Sequence, residues 1–567
     1  MYEIDKVSYE IAESKTKNEY SLKLSLGEKS LFVLSKYKPK EQLSNTLNFT
    51  NVNRSTVFIL FGYGFGYLAQ QIIDTVGKGA TILVIEPSAK LLKEQRAVND
   101  IKGITYLTEQ DDLTQTIKST INSTNYNDLY MVKHPHYEVF YGEYLKMVLN
   151  AITEVKRGIE VDINTIKVID SKFIENSVVN SKYINSSFDF TIHKDKYKNI
   201  PAVVVSAGPS LDKNLDDLKG FKGLIFSGGR TLNTVNNIGM PADFACVADY
   251  SEKVRDTFGE NITTPLIAMI NASQQVVADA QNARYFVEYT PIAQELIGKP
   301  LPSVTMGGSV ATLCMDAARY MGCNPVIFIG QDLAYDNDKM YSKSCNIFED
   351  TAHNNDMKFI PAYNGGKVKS TDMFIAFLRW IENYISENSD TTYINATEGG
   401  AKIAGTIQMP LKEVVEKYST IEKPAIEHVK LNYPIDINDA LNVCLNNLQE
   451  AKKLTARAVE VSENLYRQYQ NYHAGKSPII VKRLVASLDE FDAKLKNGNI
   501  MAIVGYMFAN LSRTISVDSE HKDMMGRSDL DNAKGIAHGN LKLYKALELT
   551  IDNIMNIIKE ELTEMLS

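Results

Sequence analysis

The sequence predicts an α/β protein with an N-terminal Rossmann-like domain, a central doubly wound domain and a C-terminal α-helical domain. Three observations carry this. Apolar, strand-like runs alternate with helical patterns from residue 57 onward. Several of those runs end in glycine-rich turns. After about residue 425, glycine and proline become sparse and helical periodicity takes over.

In chain order, residues 1–50 are polar and mixed, and the alternating runs SLKLSL and LFVLS predict a small β meander or cap. Val57–Phe61 reads as a strand, followed by the turn Gly62-Tyr-Gly64-Phe-Gly66 and a helix through Leu68, Ile72 and Ile73. Thr81–Ile85, 104–107 and 129–132 are further strands, which completes an N-terminal unit over 1–155. Residues 156–195 read as a polar helical connector. The central domain spans 196–424. It opens with Ala202–Ser206, β-branched and continuously apolar as a strand covered on both faces should be. Gly223–Ser227, Phe244–Val247, Leu266–Ile270, Tyr285–Val287, Val326–Ile329 and Tyr393–Asn395 are its other strands, with helices at Thr312–Met321 and Phe374–Ile385. The last segment, 425–567, is helical, and its clearest stripe is Tyr544, Leu547, Ile551, Ile554, Ile558, Leu562 and Met565.

Composition narrows the function. The 567 residues are 44% hydrophobic and 23% charged, as in globular chains. Sixty-one basic against 69 acidic residues leave a net charge of −8, which does not favour a nonspecific nucleic-acid binder. Cys246, Cys314, Cys323, Cys345 and Cys444 are odd in number and widely spaced, so neither a disulfide scaffold nor a zinc knuckle is expected. The N-terminus has no basic and apolar signal pattern, and the longest apolar stretch, Val57–Ala69, is broken by glycines and too short to span a bilayer. The expectation is a cytoplasmic protein without a membrane span.

Six glycine-rich or polar turns, and one acid at a further strand end, carry candidate chemistry. Gly62, Gly64 and Gly66, with Glu86 at the end of the next strand, form either a ligand turn with a ribose-binding acid or a Rossmann scaffold that kept its turn without a ligand. Gly208-Pro209-Ser210-Leu211-Asp212 joins a buried strand to a helix start, where Ser210 or Asp212 can cap and free N–H groups favour an anion. Ser227-Gly228-Gly229-Arg230, followed by Asn233, repeats the arrangement, and Arg230 suits a carboxylate or phosphate. Asp249 ends a third strand, as a helix cap or as part of one crevice with the other turns. Gly308 and Ser309 precede a helix, where small residues allow close packing against a flat ligand. Gln331 and Asp332 end another strand, with Tyr335 and Tyr341 after them, either holding a polar leaving group or packing at a rim. Glu398-Gly399-Gly400 places an acid before two glycines, to contact a sugar hydroxyl or cap a turn. His134 and His136 flank Pro135, more in keeping with a rim loop than with zinc, and no histidine or carboxylate cluster has metal-ligand spacing. The chain has no GxSxG and no Walker A sequence.

Taken together, VVVSAGPSLDKN, SGGRTLN, GGSVATLCMDAARYMGCNPVIFIGQDLAY and INATEGGAKIAG resemble the central domain of the motility accessory factor family of bacterial flagellin glycosyltransferases, over about residues 175–420. That domain is in turn similar to bacterial CMP-sialic-acid sialyltransferases, so the resemblance implies a sialyltransferase-like central fold. It also implies nucleotide-sugar contacts from the Gly208–Leu211 turn and from Gly308 and Ser309, and contacts of Tyr335 and Tyr341 with the departing phosphate. The sialyltransferases use a histidine base downstream of those tyrosines. The matching stretch here, Asn364–Lys367, has none. His353 is the nearest, with Asp332 and Glu398 as other candidates.

The implied function is transfer of a pseudaminic- or legionaminic-type nonulosonic acid from its CMP donor to Ser/Thr hydroxyls of flagellin. Inversion, no metal and no tightly bound cofactor are expected, the CMP-sugar being a substrate. The partners are flagellin and the CMP-sugar; neither nucleic acid nor a particular oligomeric state is implied. One alternative is a 6-hydroxymethyl-dihydropterin pyrophosphokinase-like enzyme, for which Asp249 and Asp332 could hold Mg²⁺. The others are a non-catalytic flagellin-binding or export factor and a methyltransferase working from the first domain.

Overall fold

The computed structural model describes every residue except 1–2, 45, 50–51, 54, 78, 123–124, 289–291, 337–338, 346–356, 433, 472–477, 497–501, 517–520, 522–527 and 567. The chain divides into two compact units. One holds 1–168, 452–500 and 504–549, and the other holds 169–451, 501–503 and 550–567. Four of the five unit boundaries fall inside helices: Tyr137–Ser181, which is interrupted at Tyr141, Ile437–Gln470, Ala502–Ser516 and Asp529–Leu566. Residues of the C-terminal helical region fall in both units. Likewise the connector read from 156 continues a helix begun at Tyr137.

In the first unit, β1 (Ser8–Glu13), β2 (Tyr20–Leu26) and β3 (Lys29–Leu34) form the expected antiparallel meander. Next come β4 (Val57–Phe61), β5 (Thr81–Ile85), β6 (Thr105–Leu107) and β7 (Leu129–Lys133), paired in parallel in the order β6-β5-β4-β7. Every residue of β4 is buried, which is why its run is apolar throughout rather than alternating. In the shared C-terminal helix, Tyr544, Leu547, Ile551, Ile554 and Ile558 are all buried, as their spacing requires.

The second unit is built on an all-parallel sheet of eight strands. They are β8 (Ala202–Val205), β9 (Leu224–Gly228), β10 (Phe244–Val247), β11 (Leu266–Met269), β12 (Arg284–Val287), β13 (Val326–Ile329), β16 (Tyr393–Asn395) and β17 (Ile407–Gln408), in the order β12-β11-β10-β9-β8-β13-β16-β17. The chain steps outward from β8 to β12, then returns to place β13 on the other side of β8. With right-handed crossovers, that reversal puts the later helices on the opposite face, so the sheet is doubly wound. A short antiparallel hairpin, β14 (Lys358–Pro361) and β15 (Lys367–Ser370), stands apart from it. The sequence reading did not anticipate that hairpin.

Candidate functional site

The strand order reverses between β8 and β13, and in such sheets the diverging connections leave a crevice at the carboxyl ends. The two loops that leave these strands are bonded to one another. Ser206 N–H donates to the Ile329 carbonyl (2.9 Å) and Gly208 N–H to the Gly330 carbonyl (2.8 Å). The Ser206 hydroxyl donates to Gln331 Oε1. Glycine is required on both sides. A Cβ at Gly208 would stand 2.1 Å from Asp332 Oδ2, and one at Gly330, where φ is +60°, would stand 2.1 Å from the Ser206 carbonyl.

Ser210 does not cap its own helix. Its N–H reaches the Asp332 carboxylate at 3.2 and 3.3 Å, and its hydroxyl donates to Oδ2 at 2.6 Å. Asp332 is only 3% exposed, and burial pushes its carboxyl up to about 6, although the Ser210 hydrogen bonds pull the other way. Gly399 and Gly400 close over the pair. A Cβ at 399 would stand 3.0 Å from Ser210 Cβ, one at 400 would stand 2.3 Å from the Asp332 carbonyl, and Ala401 N–H donates to that carbonyl (2.7 Å). Pro209 and Leu211 are buried beside them. Glu398, at φ +56°, accepts from Asn214 Nδ2 and from Leu411 N–H, both at 2.9 Å. The two carboxylates offered as bases thus hold loops together.

The neighbouring wall is exposed. Ser227 is inside it, fully buried, its hydroxyl 2.7 Å from Thr231 Oγ1, which in turn donates to the Val205 carbonyl (3.0 Å). Gly228 lies against Val310. Arg230 and Asn233, one turn apart on the helix Gly229–Asn237, are exposed. The Arg230 guanidinium lies 4.5 Å from the centre of the Tyr341 ring. The tyrosine loop is tied to the β8 exit by Ser342, whose N–H donates to the Ala207 carbonyl (2.8 Å). Its hydroxyl donates to Asp212, which also accepts from Lys343 N–H (3.0 Å) and Ser344 N–H (3.3 Å). Burial acts to raise the Asp212 carboxyl, and these bonds outweigh it, leaving it below the usual value. Asp212 therefore caps this distant loop rather than its own helix. Asp212, Ser342 and Asn214 escaped the sequence reading as anchors, since their partners lie far along the chain.

Tyr335 packs its ring against Phe374 (5.9 Å between centres) and pairs its N–H with the Lys369 carbonyl (2.8 Å). Ser309 caps the helix Val310–Tyr320 by accepting from Ala311 N–H (3.4 Å), and Gly308 beside it is exposed at φ +82°. The flat partner at this turn belongs to the chain itself, for Gly307 faces Trp380 so closely that a Cβ would stand 2.2 Å from the indole. Asp249 is exposed at the end of β10 and accepts from Ser251 N–H (2.8 Å), a turn cap. The structure thus gathers Gly208, Ser210, Gln331, Asp332 and Gly399 in one cluster, and pairs Arg230 with Tyr341 beside it. His353 lies outside the described residues. Among the described residues, no group of three or more His, Cys, Asp or Glu is placed to hold a metal ion.

The glycine turn of the first unit is filled by its own chain. Gly62, Gly64 and Gly66 have φ of +99°, +53° and +73°. Cβ atoms there would stand 2.8 Å from the Tyr137 ring, 2.1 Å from His134 Cε1 and 2.5 Å from Ile101 Cδ1. Glu86 turns inward, accepting from Tyr63 N–H (3.1 Å) and from the Tyr137 hydroxyl (2.8 Å). Burial raises its carboxyl to about 7 against those bonds, and lowers the His134 imidazole to about 4. These glycines need no ligand to account for them, which favours the scaffold reading.

A family profile described as 6-hydroxymethylpterin diphosphokinase MptE-like matches residues 175–338. No curated protein matches the chain. Among described residues, no helix is long and apolar enough to cross a membrane. The solved structure of the Maf glycosyltransferase from Magnetospirillum magneticum AMB-1 is similar, with a TM-score of 0.61 at 13% identity. The match covers 98% of this chain and 95% of that one, so the chain shares the fold of that glycosyltransferase along nearly its whole length.

Proposed function

We propose that the chain is a cytoplasmic glycosyltransferase that moves a nonulosonic acid from its CMP donor to Ser/Thr hydroxyls of flagellin, with inversion. The observation that carries this reading is the convergence of the β8 and β13 turns at the switch point, beside exposed Arg230. The fold shared with the Maf glycosyltransferase supports it. As the glycosidic bond breaks, charge grows on the nucleotide phosphate. Arg230 and the N–H groups at the starts of Gly229–Asn237 and Val310–Tyr320 meet it, in place of a bound metal. The sugar passes through an oxocarbenium-like transition state, and the acceptor hydroxyl gives its proton to a base. Asp332 and Glu398 are engaged elsewhere, so His353 stays the candidate base in this reading.

The test is the intact mass of flagellin co-expressed with this chain and a nonulosonic-acid pathway. Glycan mass on flagellin is the expected result. Unmodified flagellin in cells that accumulate the CMP-sugar would overturn the proposal, and a stoichiometric complex with unmodified flagellin would point to a binding factor.

The matching family profile favours a second reading, transfer of diphosphate from ATP to a pterin alcohol. Its Mg²⁺ would need paired carboxylates. Asp249 and Asp332 lie at the ends of β10 and β13, three strand spacings apart, roughly 14 Å. Asp332 is moreover occupied by Ser210, so these two do not fit that ion. Melting-point rises with CMP alone or only with ATP and Mg²⁺ separate the two readings.

A further inference from the structure

Among the described residues, Arg230 has a ring contact but no hydrogen-bond or ion-pair partner. The guanidinium carbons of two other arginines also lie over tyrosine rings, 4.5 Å from their centres, and each of these arginines has a hydrogen-bond acceptor of its own. Arg96 donates to Asp100 (2.8 Å) and Arg284 to the Ala280 carbonyl (3.0 Å). Arg230 is exposed, and among the described residues its contact is the ring of Tyr341. A cation–π contact with a ring uses no hydrogen-bond acceptor, so the guanidinium keeps N–H donors that can grip an oxyanion through two parallel hydrogen bonds. The ring beneath is itself fixed. Ser342 and Asp212 anchor its loop to the β8 exit, and Thr234, one turn along the Arg230 helix, donates to the Ser344 carbonyl (3.0 Å). The loop that carries Tyr341 is thus fastened both to the β8 exit and to the Arg230 helix.

We propose that Arg230 anchors an oxyanion of the ligand, a phosphate or a carboxylate, and that Tyr341 is a positioning residue acting through its ring face rather than its hydroxyl. This rests on the reading of the crevice as a nucleotide-sugar site. It differs from the role the resemblance gives Tyr341, a phenol that touches the departing phosphate.

The experiment measures, on the full-length protein, the calorimetric Kd of cytidine, CMP and CMP-N-acetylneuraminic acid for wild type, Arg230→Lys, Arg230→Ala, Tyr341→Phe and Tyr341→Leu. Ratios are read rather than affinities, because a variant that merely loosens the fold weakens all three ligands together. If Arg230 grips phosphate, the preference for CMP over cytidine falls about tenfold or more in Arg230→Ala, with a smaller loss in Arg230→Lys. If it grips carboxylate, the preference for the CMP-sugar over CMP falls instead. Tyr341→Leu lowers the same ratio about threefold, and Tyr341→Phe restores it because the ring remains. Both ratios surviving in Arg230→Ala would overturn the proposal, as would Tyr341→Phe losing as much as Tyr341→Leu. If wild type binds none of the three, the donor reading fails. The proposal is then decided by the preference for ATP over adenosine in the same variants, and overturned if that too is indifferent to Arg230.

Discussion

Ser210 gives both its backbone N–H and its hydroxyl to the carboxylate of Asp332, a residue 122 positions further along the chain. Both side chains are buried, so removing either leaves the other with unmet hydrogen-bonding groups out of water. Asp332→Ala should destabilise the second unit by about 2 kcal/mol or more, and Ser210→Ala by about 1–3 kcal/mol. The double mutant should fall short of the sum by about 1–3 kcal/mol, as contacting partners do. Trp380, the single tryptophan, lies in this unit and reports its urea unfolding. Additive effects would mean that the contact carries no energy.

Glu86 makes the stability of the first unit depend on pH. Its carboxyl is fully buried and raised from 4.5 to about 7, mainly by burial, so the folded chain holds that proton more tightly than the unfolded chain. The resulting stabilisation is complete below the unfolded value and is lost as pH rises through about 7. Its size is about 3 kcal/mol. Glu86→Gln cannot ionise and should lack this component. Urea melts followed by far-UV circular dichroism at pH 4.5 and pH 8 should show the variant gaining on wild type at the higher pH. Identical pH dependence in both proteins would refute the assignment.

The strands were legible because burial on both faces leaves one signature, an unbroken apolar run, and Val57–Phe61 and Ala202–Val205 carry it. The glycine turns were legible too, but only as places where something comes close. Glycine does not say what that something is. At 64 it is His134, at 208 Asp332 and at 307 Trp380, all supplied by the chain. β14 is four residues long, half exposed and closed by a proline, β15 carries two lysines in four residues, and β17 has two residues, all too short for a clear strand signal. An apolar stripe such as Tyr544–Met565 reveals that a helix is covered and not by which unit, so the division of the C-terminal helices was hidden. The candidate site was partly legible for the same reason. Residue type marked Arg230 and Tyr341, but their pairing depends on Asp212 and Ser342, 130 positions apart.

If the glycine turn of the first unit is closed by its own side chains, Gly64 and His134 should be coupled. Gly64→Ala sets a methyl 2.1 Å from His134 Cε1 and places alanine at φ +53°. Overpacking and left-handed strain together should cost about 3 kcal/mol. Both His134 ring nitrogens are buried without a partner, so His134→Ala removes an unsatisfied group along with the ring. In that background the clash is gone, and alanine at 64 should cost only the backbone strain, about 1–2 kcal/mol. Amide hydrogen exchange on peptides spanning Val57–Gly66 measures this locally in the full-length protein. The expected pattern is strong deprotection in Gly64→Ala and substantial recovery in the double mutant relative to simple addition. Equal cost of alanine at 64 with and without the imidazole would show that the ring does not fill the turn, and would reopen it as a place for a ligand.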